Sequence, residues 1–383
     1  MSDVGHVARA ARERVVVVGG GPAGLAVAAV LKAKGIDALV LEKAEEIGAS
    51  WKAHYDRLHL HTVRWLSGLP YTHIRRGEGR WVARDGVVRY LENYAVRHQL
   101  RVRLGVEVIS VHRAGAAWTV ETDDGPLQAD AVALATGYNR DPVIPDWRGA
   151  AGFHGELLHS SAYRTGAVYK GRDVLVVGAG NSGAEIAVDL LENGARTVWL
   201  SVRTPPNILR RQLAGIPTQV IGVLLRKLPV GAVDRIAGAT QRITVGDLSR
   251  YGMPSPKRGL YTRVLNEERI PILDVGLIRA LKKGKIRVVP AVQHFAQGEV
   301  SLEGGQRVTP DAVIAATGFR RGLEPLVGHL GVLNGKGNPT VHGDVTHPRA
   351  PNLYFIGYSN PISGNLRELG IDARRIARAV MNG

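Results

Sequence analysis

Two glycine-rich runs dominate what this chain can fold into. The first is Val15-Val16-Val17-Val18-Gly19-Gly20-Gly21-Pro22-Ala23-Gly24, and the second is Val174-Leu175-Val176-Val177-Gly178-Ala179-Gly180-Asn181-Ser182-Gly183. Each is an apolar run, then G-x-G-x-x-G, then a helical pattern. Gly19 and Gly178 allow a tight turn out of a buried strand. Gly21 and Gly180, lacking Cβ, let backbone approach a pyrophosphate. Gly24 and Gly183 let the helix pack closely on its strand, and the helix N-terminus faces the phosphates. Pro22, Ala23, Asn181 and Ser182 open those helices and join the candidate phosphate contacts.

The residue that reads the ribose separates the two runs. Glu42, followed by Lys43, ends the predicted strand Ala38-Leu39-Val40-Leu41. At the same count from Gly178 stands Ser201, with Arg203 two places on. A carboxylate repels a 2′-phosphate, whereas an arginine pairs with it. The first site therefore reads as FAD-like or NAD-like and the second as NADP-like. Two nucleotide sites in one chain imply electron transfer between two cofactors.

At 383 residues with 45% apolar content, the chain has length for two or three domains and ample core. The longest apolar stretch, Val15 to Leu31, is broken by glycines and a proline, so it is a strand–turn–helix unit rather than a membrane span. Met1 to Arg14 lacks the apolar core of a signal peptide, so a cytoplasmic location is expected. Cysteine is absent, which excludes disulfide exchange, iron–sulfur ligation and a thioredoxin-reductase type of chemistry. The net charge of +16 is scattered in pairs such as Arg210-Arg211 and Lys282-Lys283, and aromatic content is only 5%. That pattern speaks against a nucleic-acid partner and for a basic surface serving anionic cofactors. His54, His59 and His61 match no zinc spacing, so no metal is expected.

The chain divides into an FAD-binding first part over 1–165, an NADPH-binding domain over 166–308 and an FAD-binding second part over 309–383. The fold class is α/β, with two Rossmann-like dinucleotide-binding domains and the NADPH domain inserted into the FAD domain. The repeated run Ala135-Thr136-Gly137 and Ala316-Thr317-Gly318, one after each glycine unit, supports the insertion. These turns are candidate cofactor contacts. The segment 209–260 has helical periodicity and reads as a covering element. Its most apolar part lies between Pro217 and Pro229, too short to cross a bilayer. A final helix from about Leu366 to Met381 aims its positive end at whatever lies beside Leu366, which suits a reduced flavin ring.

Between the two units lies Phe153-His154-Gly155-Glu156-Leu157-Leu158-His159-Ser160-Ser161-Ala162-Tyr163. It resembles the F-x-G-x-x-x-H-x-x-x-Y/W fingerprint of the class B flavin-dependent monooxygenases. With both glycine motifs the resemblance covers nearly the whole chain. Tyr163-Arg164 stands where Baeyer–Villiger members usually have Trp-Pro, which leans toward the flavin-containing and N-hydroxylating branches. Leu58-His59-Leu60-His61, Asn181-Ser182-Gly183-Ala184-Glu185 and Pro271 to Ile278 are closest to the YUCCA-like branch, whose members oxidatively decarboxylate indole-3-pyruvate.

The resemblance implies FAD and NADPH as cofactors. It implies insertion of one oxygen atom from dioxygen into a small organic molecule through a peroxyflavin. The acceptor is a soft nitrogen or sulfur nucleophile, or a 2-oxo acid. Trp51 and His59 are then expected beside the flavin or its pyrophosphate. Many relatives place an asparagine near the flavin after the Trp51-type segment. Here that region reads Leu60-His61-Thr62, so His61 or Thr62 is expected to supply the catalytic hydrogen bond. The alternatives are an NADPH oxidase or reductase flavoprotein, Baeyer–Villiger-type oxygenation, and a nucleotide-sensing scaffold. No membrane partner is expected, and a homodimer is an open assembly.

Overall fold

The computed structural model describes residues 12–225, 228–267 and 269–382. The amino-terminal reading therefore falls outside the described residues over 1–11. Two β-sheets are each built around one glycine strand. In the first, strand Arg12–Val18 lies between the ribose-side strand Leu39–Leu41 and the long strand Leu127–Leu134, parallel to both. The long strand changes partner along its other edge. Its first half pairs antiparallel with Ala117–Thr122, and its second half pairs parallel with the returning strand Leu353–Phe355. That return closes the first unit from the far end of the sequence.

The second sheet is all parallel, in the order Ile286–Val289, Thr197–Ser201, Asp173–Val177, Ala312–Ala315, Glu156–His159. Parallel strands are covered on both faces and read as continuous apolar runs. Val174, Leu175 and Val176 are accordingly at 0% exposure, as are Val313 and Ile314. Each fully buried aliphatic side chain contributes about 1.5–3 kcal/mol. Helix Pro22–Lys32 packs on the first sheet beside the final helix Asn365–Asn382, and helix Asn181–Glu192 packs on the second.

Sheet membership moves the expected boundaries. Glu156–His159 and Ala312–Ala315 both lie in the second sheet, so the insertion runs from about 156 to 318 rather than from 166 to 308. Short strands of this kind carry no mark of the sheet they will join. The two crossings between units are paired with each other. Phe319–Arg320 lies antiparallel to Asp141–Pro142, Val143 N–H donates to the Gly318 carbonyl at 3.0 Å, and the Thr317 hydroxyl donates to the Val143 carbonyl. Among the described residues no helix is long and apolar enough to cross a membrane.

Candidate active site

The two glycine turns are near copies. Gly19 and Gly178 both have φ of +109°, and a Cβ on either would lie 2.5 Å from a carbonyl oxygen, that of Ala135 or Ala316. A Cβ on Gly24 or Gly183 would lie 1.9 Å from the carbonyl oxygen of Gly19 or Gly178. Gly21 and Gly180 have nothing within 4 Å of their Cβ positions. The outer glycines are thus required by the protein's own backbone. The middle ones border free space where a pyrophosphate would approach the helix N-termini, so both cradles fit a dinucleotide.

The strand register corrects the ribose-reading position. Val18 pairs with Leu41, and Val177 pairs with Ser201. The counterpart of Glu42 is therefore Val202, and that of Lys43 is Arg203. The offset arises because helix Asn181–Glu192 has 12 residues and helix Pro22–Lys32 has 11. Ser201 is buried and donates its hydroxyl to the Pro290 carbonyl at 2.8 Å, so it holds the sheet edge and is removed from the ribose position. Glu42 accepts N–H bonds from Gly20 at 2.7 Å and Ala44 at 3.0 Å, which fixes its carboxylate over the first turn. Arg203 and Lys43 are exposed and form no ion pair with a described residue.

Other predicted residues divide by what holds them. The Asn181 side chain donates to the Pro271 carbonyl at 3.1 Å and accepts from Leu273 N–H at 2.9 Å. It pins strand Ile272–Asp274 to the glycine helix and leaves one amide N–H and the backbone for phosphate. Thr317 and Gly318 border the second cradle, not the first. His59 is exposed, with Nδ1 against the Arg57 carbonyl at 2.8 Å. Trp51, in the short helix Ala49–Lys52, packs on the core beside the first cradle.

The loop holding His61 meets three distant segments. Gln219, buried in helix Thr218–Leu225, accepts from Val63 N–H at 2.9 Å and donates to the Ser363 carbonyl at 2.7 Å. It ties the covering segment to the His61 loop and to the turn before Leu366. Gly364, at φ of +100°, lies so close that a Cβ would sit 2.8 Å from a Thr62 methyl and 2.4 Å from Gln219 Nε2. Behind the first cradle, Tyr358 bonds the Thr136 hydroxyl at 2.8 Å, and burial pushes its pKa up to about 12. Thr62 proves a poor donor. Ser67 gives its proton to the Val63 carbonyl at 2.9 Å, so the 2.7 Å bond between Thr62 and Ser67 uses the Thr62 proton.

His61 is placed differently. Its Nε2 lies 3.1 Å from Glu185 Oε1, and Tyr55 donates its hydroxyl to Glu185 Oε2 at 2.9 Å. The Nδ1 atom of His61 is buried with no hydrogen-bond partner among the described residues. Burial raises Glu185 to about 7 and lowers His61 to about 4, with Arg211 and His59 adding to the latter. Both shifts favour neutral forms, the usual result for titratable groups taken out of water. Tyr55, Glu185, Gln219 and Tyr358 escape sequence reasoning as site residues. Glu185 lies in the quoted block after Ser182; a carboxylate on the apolar face of a glycine helix is the signal that marks it.

The connecting fingerprint is structural. Ser161 N–H donates to His159 Nδ1 at 3.1 Å, which leaves Nε2–H to donate to the Gly318 carbonyl at 3.0 Å. Gly155 gives room to the Phe153 ring, which a Cβ would meet at 2.6 Å. Tyr163 is 1% exposed and donates to Asp189 Oδ2 at 2.6 Å, on the same helix as Glu185.

Residues 16–212 match the pyridine nucleotide-disulphide oxidoreductase family. Indole-3-pyruvate monooxygenase YUCCA1 of Oryza sativa subsp. japonica is 37% identical over 310 residues, covering 80% of this chain and 76% of its own length. Probable indole-3-pyruvate monooxygenase YUCCA3 of Arabidopsis thaliana is 32% identical over 380 residues, covering 96% of this chain and 86% of its own. The solved flavin-containing monooxygenase from Stenotrophomonas maltophilia superposes with a TM-score of 0.74 at 25% identity, over 97% of this chain and 98% of that one.

Proposed function

The chain belongs to the class B flavin-dependent monooxygenases, and from that premise we propose that it is an NADPH-dependent enzyme that oxidatively decarboxylates an aromatic 2-oxo acid of the indole-3-pyruvate kind. FAD and NADPH are the cofactors. Gly19–Gly24 would hold FAD with Glu42 at its ribose, and Gly178–Gly183 would hold NADPH with Arg203 at its 2′-phosphate. Bound FAD, reduced by NADPH, supplies the activation of dioxygen. Gly364 and the N-terminus of helix Asn365–Asn382 would border the flavin ring, and Gln219 ties the covering segment to them. His61, held on Glu185, presents Nδ1 as the catalytic proton-handling atom; Thr62 shapes the loop. The net change is 2-oxo acid, dioxygen, NADPH and a proton to the shortened acid, carbon dioxide, water and NADP⁺.

The supporting observation is the similarity to named indole-3-pyruvate monooxygenases, 32% over 96% of the chain in one case. The experiment is oxygen and NADPH consumption by the FAD-loaded protein with indole-3-pyruvate. One-for-one consumption with indole-3-acetate as product is expected. NADPH consumption that yields only hydrogen peroxide, with every 2-oxo acid tried, refutes the proposal. It would favour the second reading, an NADPH oxidase, which the committed Thr62 proton supports.

A further inference from the structure

Arg211 follows strand Ile208–Arg210 and is partly buried. Its guanidinium lies 4.3 Å from the ring centroid of Trp81, and it forms no ion pair with a described residue. Burial lowers its pKa, the mark of a cation short of solvent. A charge in that position is costly unless something anionic meets it.

Arg211 and Trp81 form part of the wall of an open cleft of about 540 Å³. That volume suits a small ring compound. The other two charged groups on the wall, Arg210 and Asp274, have backbone partners. Arg210 Nε donates to the Thr244 carbonyl at 2.7 Å, and Asp274 accepts from Gly276 N–H at 3.2 Å and Ile278 N–H at 2.9 Å. The Arg211 backbone adjoins the segment that holds the His61 loop: Thr218 N–H donates to the Arg211 carbonyl at 3.0 Å, and Gln219, the next residue, accepts from Val63 N–H at 2.9 Å. The cation therefore stands where the cleft meets that segment.

We propose that Arg211 and Trp81 hold the substrate, the guanidinium fork taking the carboxylate of an aromatic 2-oxo acid while the cleft takes its ring. Planar bidentate pairing is what distinguishes a guanidinium from an ammonium at such a site. This rests on the 2-oxo acid reading given above. A dinucleotide phosphate offers similar chemistry. Position favours the carboxylate, because Arg203 already stands at the ribose-reading end of the second sheet, whereas Arg211 is bonded through Thr218 to the segment whose Gln219 holds the His61 loop.

The test is binding to the FAD-loaded protein, followed by tryptophan fluorescence and calorimetry. The probes are indole-3-acetate, its neutral amide, and 2′,5′-ADP as the phosphate source. The acid should bind at least 10-fold more tightly than the amide. Arg211→Met should weaken the acid 10- to 100-fold and leave the amide and 2′,5′-ADP unchanged, and Arg211→Lys should restore only part. An unchanged flavin spectrum and Tm verify the fold of each variant. Loss of 2′,5′-ADP binding with the acid unaffected overturns the proposal in favour of a cofactor-phosphate site. Equal loss of acid and amide overturns it in favour of packing. If the acid depends on Arg211 but indole-3-pyruvate is not turned over, the proposed reaction falls and the anion subsite stands. If turnover occurs while the acid ignores Arg211, the subsite falls and the reaction stands.

Discussion

The two glycine helices begin alike and diverge one turn in. Gly24 and Gly183 occupy equivalent places, so Ala26 is the counterpart of Glu185, and Val30 that of Asp189. In the first helix these positions are apolar and fully buried, and the helix packs on its own sheet and the final helix. In the second they are buried carboxylates that receive Tyr55, His61 and Tyr163 from outside the helix. The lesson is a division of labour. Dinucleotide binding fixes the first turn of each helix by backbone geometry. The second and third turns of the second glycine helix are the joint on which the His61 loop and the connecting fingerprint are hung.

The sharpest way to break this parallel is at the glycines. Gly24→Ala and Gly183→Ala each force a methyl to 1.9 Å from a carbonyl oxygen, so each should destabilise by about 3 kcal/mol or more, read as lost soluble yield or Tm. Gly21→Ala and Gly180→Ala meet no protein atom within 4 Å and should leave Tm intact. The first should cost FAD content and the second should raise the NADPH KM, each by at least about tenfold. The reverse pattern would exchange the two cofactor assignments.

A smaller effect is expected at the ribose-reading residues. Arg203→Ala removes one charge-assisted contact, worth about 1.5–3 kcal/mol. Its KM for NADPH should rise about 10- to 100-fold, with NADH kinetics unchanged, in steady-state assays. An enzyme that prefers NADH before the substitution removes the basis for assigning the 2′-phosphate to Arg203. Glu42→Gln can accept from only one of Gly20 and Ala44 and sets an amide N–H against the other, so FAD retention on dilution should fall by about tenfold or more.

The parts of this arrangement visible in the sequence are those that local backbone geometry dictates. The three glycines of each cradle and the small-residue turns Ala135–Gly137 and Ala316–Gly318 are required by contacts of a few ångströms within one strand–turn–helix unit. Counting residues assumes helices of equal length, which strand pairing does not, so the count reaches Ser201 where the register reaches Val202. The boundary near 156 carries no local mark, because strand Glu156–His159 is four residues long and takes its sheet from a neighbour far along the chain. Gln219, Tyr358, Tyr55 and Trp81 reach the site from separate segments, and no spacing rule links them. The polar residue Gln219 in an otherwise apolar run was the one local hint.

The smallest expected effect tests the joint itself. Glu185 has its folded pKa raised from 4.5 to about 7. It therefore contributes stability that is fully present below 4.5 and lost as pH rises toward 7. His61, lowered from 6.5 to about 4, has the opposite sign: its contribution is present above 6.5 and lost as pH falls toward 4. The two oppose each other over the shared window, and only Glu185 still changes between 6.5 and 7. Glu185→Gln removes the carboxyl's share while retaining partners for Tyr55 and His61. Its stability relative to the parent should therefore improve by about 1–2 kcal/mol between pH 5 and pH 8, measured by denaturant titration. Proton placement should change as well. Below 7 the carboxyl donates to Nε2 and leaves the proton on Nδ1; above it, Nε2–H donates and Nδ1 is bare. In Glu185→Gln the amide donates to Nε2 at every pH, so the imidazole nitrogen resonances of His61 should cease to switch near neutrality. Parent resonances that already show no switch would mean that Glu185 serves packing alone. The second helix would then differ from the first in its contacts but not in proton chemistry.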